Sequence, residues 1–279
     1  MVRIRGVSPS CQKVLEGGGF VVAPNWVMSM AHVVAGTDSV SVEVDGTRYD
    51  AQVVSYDPSR DISILDVPNL RAEPLLLAEG VADSGSDALM LGYPGGGDFV
   101  ATPVRIREVV ELNGPDIYRT TTATREVYTI RGFVRQGDSG GPIIDLDGKA
   151  LGVAFGAAVD DPDTGFVLTV REVAPQLAKV GNTVPGYGTT ARNYAPSTTT
   201  STAPTGRSGQ PSTRESCLTR CPLLHTGRAR AASGSMCEIT PRTTPIGSNE
   251  ALYGRTDTKA PMVYSSMVHV AGGEGGSTP

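Results

Sequence analysis

The sequence predicts an all-β domain of about 180 residues, closed by a short terminal helix and followed by a tail of different character. Gly (34) and Pro (20) are plentiful among the 279 residues, which favours many short strands joined by turns. Apolar residues alternate with period two in one run after another. Beyond Asn182 this alternation stops and the composition changes.

The alternating runs follow one another along the domain. SVSVEV (39–44), the Asp45-Gly46 turn and YDAQVVSY (49–56) together predict a hairpin. The later predicted strands are ALMLGY (88–93), TPVRIREVVEL (102–112), VYTIRGFV (127–134), GPIIDLDGKALGVAFG (141–156) with its own Asp-Gly turn, and TGFVLTV (164–170). A fold in which strands alternate with long helices is not indicated, because the sequence shows no long helical pattern between the strands. The length leaves room for one large core or two small barrels.

The domain ends with a change of period. REVAPQLAKV (171–180) places Val173, Leu177 and Val180 on one face of a helix that Pro175 keeps short. From Thr183 to Ser216, 22 of 34 residues are Ser, Thr, Pro or Gly. Such a composition buries too little apolar surface to offset its ordering entropy, so we expect residues 183–279 to be disordered. The abrupt onset also suggests a change of reading frame, which a comparison of the coding frames would test.

Composition narrows the possible partners. The net charge of −5 gives no reason to expect nucleic acid, and no apolar run approaches a membrane span. MVRIRGVSPS lacks a secretory signal, which predicts either a cytoplasmic protein or an upstream export or anchor segment absent from this chain. The cysteines, at 11, 217, 221 and 237, do not have zinc-site spacing. We expect neither a metal nor a cofactor.

Three residues from separate stretches are candidates for chemistry. Ser139 lies in RQGDSGGP, His32 in WVMSMAHVVAG, and Asp61 in SYDPSRDISILDV. Each alone has an ordinary interpretation: a polar turn, a core histidine and a strand-capping carboxylate. Together they occur in the order His, Asp, Ser, which is one of the known orders of an acyl-transfer triad.

Three motifs carry a family resemblance. AHVV, RDISIL and GDSGGP resemble the histidine, aspartate and serine motifs of chymotrypsin-fold (trypsin-like) serine proteases. More narrowly, residues 3–182 are similar to the protease domain of the mycobacterial acid-resistance periplasmic serine proteases. That family is membrane-anchored through helices upstream of the domain and is linked to survival of acid and oxidative stress.

The resemblance implies two antiparallel six-stranded β-barrels, roughly residues 1–95 and 96–170, with the active site between them. It implies peptide or protein substrates, and a periplasmic or cell-envelope location with any membrane attachment through an upstream anchor. His32 would be the general base, Asp61 would orient it, and Ser139 would attack the scissile carbonyl. The backbone N–H groups of Gly137 and Ser139 would form the oxyanion hole.

The resemblance also implies a specificity pocket. Its floor would be Phe133, six residues before the serine, and its wall would be Ala154, Phe155 and Gly156. No carboxylate stands at the floor to pair with Lys or Arg, so we expect an apolar residue on the acyl side of the scissile bond. The alternative is that Phe133 fills the site as a core aromatic.

The chain departs from the family pattern at two places. No Ile-Val-Gly-Gly start exists to pair with Asp138, so that carboxylate must be satisfied in another way. In the resembling family a cysteine at the position of Cys11 pairs with one just beyond the terminal helix. Here the next cysteine is Cys217, so Cys11 either pairs with a tail cysteine or is a free thiol.

Two other functions remain open. An inactive descendant could keep the fold and bind peptides. An esterase could use the same nucleophile, but its serine would lie on a strand-to-helix turn, which Pro142 and the strand-like IIDL contradict.

Overall fold

The computed structural model describes residues 1–9 and 12–181, together with the backbone of two short strands at 262–264 and 267–270. Fourteen strands and one α-helix lie in these ranges. The strands of the first sheet are β1 (Val2–Ser8), β2 (Lys13–Ala23), β3 (Trp26–Met30), β4 (Ser39–Val44), β5 (Thr47–Asp57) and β6 (Ile62–Asp66). Those of the second are β7 (Asp87–Gly92), β8 (Val100–Pro115), β9 (Thr122–Arg131), β10 (Pro142–Ile144), β11 (Ala150–Ala158) and β12 (Thr164–Thr169).

Each sheet closes on itself. The first runs β1-β4-β5-β6-β3-β2, and pairing of β1 with β2 closes it. The second runs β10-β7-β8-β9-β12-β11, and pairing of β10 with β11 closes it. All these pairings are antiparallel, and the two six-stranded barrels give the chymotrypsin-like architecture that the sequence predicted.

The division between the barrels lies earlier than predicted. Strand β7 was expected in the first barrel, because the boundary was set near residue 95. It instead pairs with β8 and β10 of the second barrel, so the crossing is made by residues 67–86. An alternating strand carries no signal of which neighbour it pairs with, and this is why the sequence misplaced it.

Two apolar clusters fill the interior. The second barrel encloses Met90, Tyr128, Ile143 and their neighbours. The larger cluster fills the first barrel and continues into residues of the second, including Phe155 and Phe166. The barrels therefore share a continuous apolar interface, and it holds the two halves of the cleft in a fixed relation.

The terminal helix α1 (Val170–Leu177) was predicted at 171–180. Thr169 caps it by accepting a hydrogen bond from the Glu172 N–H at 3.1 Å. Val173 is buried, and Leu177 and Val180 pack partly buried against the larger cluster, as the helical period indicated.

Within residues 183–279, which the sequence predicted to be disordered, the structure contains two short strands. Strand β13 (Met262–Tyr264) pairs with β11, and β14 (Met267–Val270) pairs with β2. The rest of that prediction lies outside the described residues, as do the alternatives for Cys11. No helix in residues 1–9 and 12–181 is long and apolar enough to cross a membrane.

Candidate active site

Two hydrogen bonds join His32 to Asp61, and a third joins the neighbouring Ala31 to Asp61. His32 lies in a 3-10 turn directly after β3, and Asp61 directly precedes β6. The two strands pair in a register that sets Met30 opposite Ile62, so the residues that end one and begin the other meet. The imidazole Nδ1 lies 2.6 Å from Asp61 Oδ2, and the His32 backbone N–H donates to Oδ1 at 2.8 Å. The Ala31 N–H donates to the Asp61 carbonyl at 3.2 Å.

Both side chains are fully buried. A carboxylate at Nδ1 fixes the imidazole with its proton on that nitrogen, so that Nε2 is the basic atom. The backbone bond to Oδ1 fixes the carboxylate as well. This pair can therefore orient an imidazole for proton transfer at Nε2.

Asp61 stands at a strained backbone position. Its φ is 61°, in the left-handed region that few residues other than glycine adopt. Aspartate tolerates this conformation better than most residues. The strain has to be offset by the surroundings.

Helix α1 holds the turn that leads into Asp61. Gln176 is buried, donates from Nε2 to Asp57 Oδ2 at 2.7 Å, and accepts from Ser55 Oγ at 2.8 Å. Asp57 Oδ1 in turn accepts the backbone N–H of Arg60 at 2.9 Å. Glu172 accepts from Arg60 Nε at 3.0 Å. We name Asp57, Arg60, Glu172 and Gln176 the helix clamp.

The Ser139 loop (135–141) is held mainly by its backbone. The N–H of Gly140 donates to Ala154 O at 2.9 Å, and the Ala154 N–H donates back to Gly141 O at 2.8 Å. The N–H of Gly141 also donates to Asp138 O at 2.9 Å. The loop is thus pinned to strand β11 on the second-barrel side.

On its other side the loop touches the first barrel through glycines. The Gly18 N–H donates to Ser139 O at 2.7 Å. A Cβ at Gly17 would lie 2.7 Å from the Val33 side chain and 3.0 Å from Ser139 O. Val33 follows His32 in sequence, so Ser139 and the His32 turn meet at the same glycine. Ser139 is itself fully buried.

Gly140 has no room for a side chain. Its φ is 84°, and a Cβ there would collide with the carbonyl oxygen of Gly18 and lie 2.6 Å from Ser29 Oγ. Ser29 Oγ itself donates to Gly18 O at 2.7 Å. The backbones of the two barrels therefore approach as closely as glycine permits.

Gly137 is restricted in the same way. Its φ is 96°, and a Cβ would collide with the carbonyl oxygen of Tyr93. The Gly95 N–H donates to Gln136 O at 2.7 Å, so the glycine run 95–97 supports this loop. The glycine run 17–19 supports the loop from the first barrel, through the Gly18 N–H and the close approach of Gly17.

The Asp138 carboxylate has a hydrogen-bond partner within its own loop. Its Oδ2 accepts the Arg135 N–H at 2.8 Å. Burial raises the pKa of Asp138 above its ordinary value, while that hydrogen bond and the charge of Arg135 act in the opposite direction.

The predicted pocket residues have different surroundings. Phe133 is 48% exposed, so it is not a core aromatic, and the guanidinium of Arg135 lies 5.7 Å from its ring. Ala154 and Gly156 are buried on β11. The Phe155 side chain belongs to the larger apolar cluster. A bulge interrupts the strand between Ala154 and Gly156, and the pocket wall formed by residues 154–156 stays a prediction.

Sequence reasoning missed the helix clamp and the contacts of Gly17 and Gly18. The run of three glycines inside a strand was an available signal, because glycine in a strand marks close backbone approach. Gln176 and Glu172 gave no signal, since polar residues on a terminal helix usually face solvent. In the part of the chain that the structure describes, no cluster of His, Cys, Asp and Glu could hold a metal ion.

The fold and site define a class of protein. Two closed antiparallel barrels meet at a buried His-Asp pair and a glycine-rich serine loop, and the sequence profile of the trypsin-like peptidase domain matches residues 17–153. The chain belongs to the trypsin-like peptidase family.

Particular relatives agree with this assignment. The chain is 59% identical over 186 residues to serine protease Rv3671c of Mycobacterium tuberculosis, covering 66% of this chain and 47% of that protein. It thus spans about half the length of that curated relative. The crystal structure of the active form of that protease has a TM-score of 0.66 at 58% identity, over 67% of this chain and 83% of that chain.

A more distant structure shares the fold alone. The HtrA-type protease AlgW with tripeptide has a TM-score of 0.56 at 18% identity, over 65% of this chain and 60% of that chain. A probable periplasmic serine endoprotease of the DegP-like type from Brucella suis is 28% identical over 187 residues, covering 62% of this chain and 35% of that protein.

Proposed function

We propose that the described domain is a serine endopeptidase in which Ser139 is the nucleophile, His32 the general base and Asp61 the group that orients it. One observation carries this proposal. The buried, hydrogen-bonded His32-Asp61 pair and the Ser139 loop come from different barrels and meet at Gly17. The relatives named serine protease support it.

In the proposed reaction His32 Nε2 takes the hydroxyl proton as Ser139 Oγ attacks the scissile carbonyl. The protonated imidazole returns that proton to the leaving amine, which departs and leaves an acyl-enzyme. Water then attacks the ester, again with His32 as base, and releases the carboxylic acid. Asp61 stabilises the imidazolium in both halves.

The oxyanion of each tetrahedral intermediate would be bound by the N–H groups of Gly137 and Ser139. The amides of Asp138, Gly140 and Gly141 donate to the carbonyl oxygens of Arg135, Ala154 and Asp138, and these bonds fix the backbone of the loop. Loss of one oxyanion donor typically lowers the rate by about 10²–10³.

The test is labelling with a fluorophosphonate that reacts only with activated serines. We expect labelling of the full chain, and none of Ser139→Ala or His32→Ala, because the first lacks the nucleophile and the second its base. Ser84→Ala, at an exposed serine, is the matched control and should label fully. Labelling that survives at either triad position would contradict the assignment.

The substrates would be peptides with an apolar residue on the acyl side of the scissile bond. No carboxylate stands at position 133, and Phe133 presents about half of its surface. Cleavage profiling of a peptide library should show apolar preference, and Phe133→Asp should shift it toward Arg and Lys. A dominant Arg or Lys preference in the unaltered chain would reject this pocket.

The location would be the cell envelope, with a role in acid or oxidative stress. The resemblance noted above and the DegP-like relative, described as periplasmic, support this. Fractionation of cells that express the natural gene should place the protein in the envelope, and recovery in the cytosol would contradict it.

An esterase is less well supported. The Ser139 loop leads into strand β10 rather than into a helix, so the strand-to-helix turn of that fold is missing at this serine.

A further inference from the structure

The backbone of the tail touches the two barrels on either side of Ser139. Strand β13 pairs with the end of β11, setting Tyr264 opposite Gly156, Val263 opposite Ala157 and Met262 opposite Ala158. Strand β14 pairs with the start of β2, setting Met267 opposite Glu16 and Val270 opposite Lys13. Two residues separate the strands in sequence.

On the first barrel, β14 and the Ser139 loop share one stretch of β2. Residues 20–23 of β2 pair with β3. Gly18 donates to Ser139 O, and Glu16 lies opposite Met267. Two residue steps along a strand measure about 7 Å. The first residue of β14 is therefore a neighbour of the loop.

On the second barrel, β13 and the loop share β11 in the same manner. Pro142 and Ile143 of β10 lie opposite Val153 and Gly152. Ala154 exchanges hydrogen bonds with Gly140 and Gly141, and Gly156, two residues further on, lies opposite Tyr264. The last residue of β13 is thus also a neighbour of the loop.

Tyr264, the last residue of β13, and Met267, the first residue of β14, therefore pair with strands on the two sides of the Ser139 loop. Strand addition of this kind derives its affinity from main-chain hydrogen bonds, which do not depend on particular side chains.

We propose that strands β13 and β14 are intramolecular peptide ligands of the cleft, which pair with Gly156–Ala158 and Lys13–Glu16 and compete with substrates for Ser139. This inference rests on the proposed function of Ser139. It adds a partner, the chain's own tail, for two strand ends that would otherwise present unpaired backbone groups at the cleft.

The test breaks the pairing within the full chain. Only every second residue of a strand donates to a given neighbour, so the cleft-release variant replaces two consecutive residues in each strand. These changes are Val263→Pro, Tyr264→Pro, Val268→Pro and His269→Pro. The control carries four prolines upstream of the strands: Arg255→Pro, Thr256→Pro, Thr258→Pro and Lys259→Pro.

We expect the cleft-release variant to cleave peptides with a kcat/KM about tenfold above that of the control, since a tethered ligand acts at an effective concentration in the millimolar range. A synthetic peptide of residues 261–271 should inhibit the variant competitively, raising KM and leaving kcat unchanged. Cleavage of the unaltered chain between Tyr264 and Met267 would equally support occupancy of the cleft.

A second readout does not depend on catalysis. In the Ser139→Ala background, hydrogen exchange at residues 13–16 and 156–158 should be faster with the cleft-release changes than with the control changes. Equal exchange together with equal kcat/KM would overturn the inference. Faster exchange, together with no fluorophosphonate labelling of the cleft-release variant that retains Ser139, would support the pairing and reject the serine protease proposal instead.

Discussion

The Ser139 loop and the turn before Asp61 deliver their residues to the site by different means. The loop is held by backbone hydrogen bonds and by glycines that leave no room for a Cβ. The turn is held by the helix clamp, whose side chains come from a distant helix. We therefore expect the loop to be intolerant of added atoms and the turn to be sensitive to lost polar groups.

The largest effect is expected from Gly140→Ala. The added Cβ would collide with Gly18 O and crowd Ser29 Oγ, so the loop would have to move away from the first barrel. We expect kcat/KM to fall by at least about 10³, because misplaced oxyanion donors and a misplaced nucleophile each cost on that order.

Gly148→Ala is the matched control for Gly140→Ala. Gly148 has a φ of 82°, close to the 84° of Gly140, but a Cβ there meets nothing within 4 Å. The control therefore carries the backbone strain without the collision, and should keep nearly full activity. Similar activities for the two variants would show that close approach of the barrels does not matter.

A smaller effect is expected from Gln176→Ala in the helix clamp. The change removes the amide partner of Ser55 Oγ and of Asp57 Oδ2, which typically costs about 1–3 kcal/mol in the free energy of unfolding. Gln176 acts through the Asp61 turn, so we expect kcat to fall about tenfold with KM nearly unchanged, a shift of about 1.4 kcal/mol in the barrier.

Arg171→Ala on the same helix distinguishes positioning from general stability. Arg171 pairs with Glu126 of the second barrel at an exposed position, an interaction typically worth less than about 1 kcal/mol. It should change neither kcat nor KM. If Gln176→Ala lowers stability but leaves kcat intact at a temperature where the domain is folded, the clamp has no role in positioning Asp61.

The smallest effect concerns Asp138 and pH. Because burial raises the pKa of this carboxyl in the folded state, its contribution to stability is fully present below its unfolded pKa and is lost as pH rises through the folded pKa. Asp138→Asn cannot ionise and should lack this loss. Denaturant unfolding from pH 3 upward should therefore show the wild type losing stability relative to the variant, and a relative gain would contradict the sign.

The two regions also differ in how far sequence could predict them. The motif GDSGGP indicates a constrained backbone, because glycine is the residue type that crowded positions and positive φ angles require. His32 and Asp61 were found through their motifs, and the pairing of β3 with β6 supplies the geometry.

The helix clamp could not be predicted in this way. Gln176 reaches Asp57 across 119 residues, and nothing in the local pattern of either stretch records that contact. The barrel boundary was misplaced for a related reason, since alternation describes a strand but not its neighbours.

Closure of the barrels has a wider consequence. Every strand of each described barrel has two neighbouring strands, so neither described barrel has a free edge strand. A bound peptide therefore gains main-chain hydrogen bonds where β2 and β11 extend past their partner strands, on the two sides of the Ser139 loop. In the proposed protease this topology favours unfolded or extended segments over compact ones, and leaves the choice among them to the side-chain pocket.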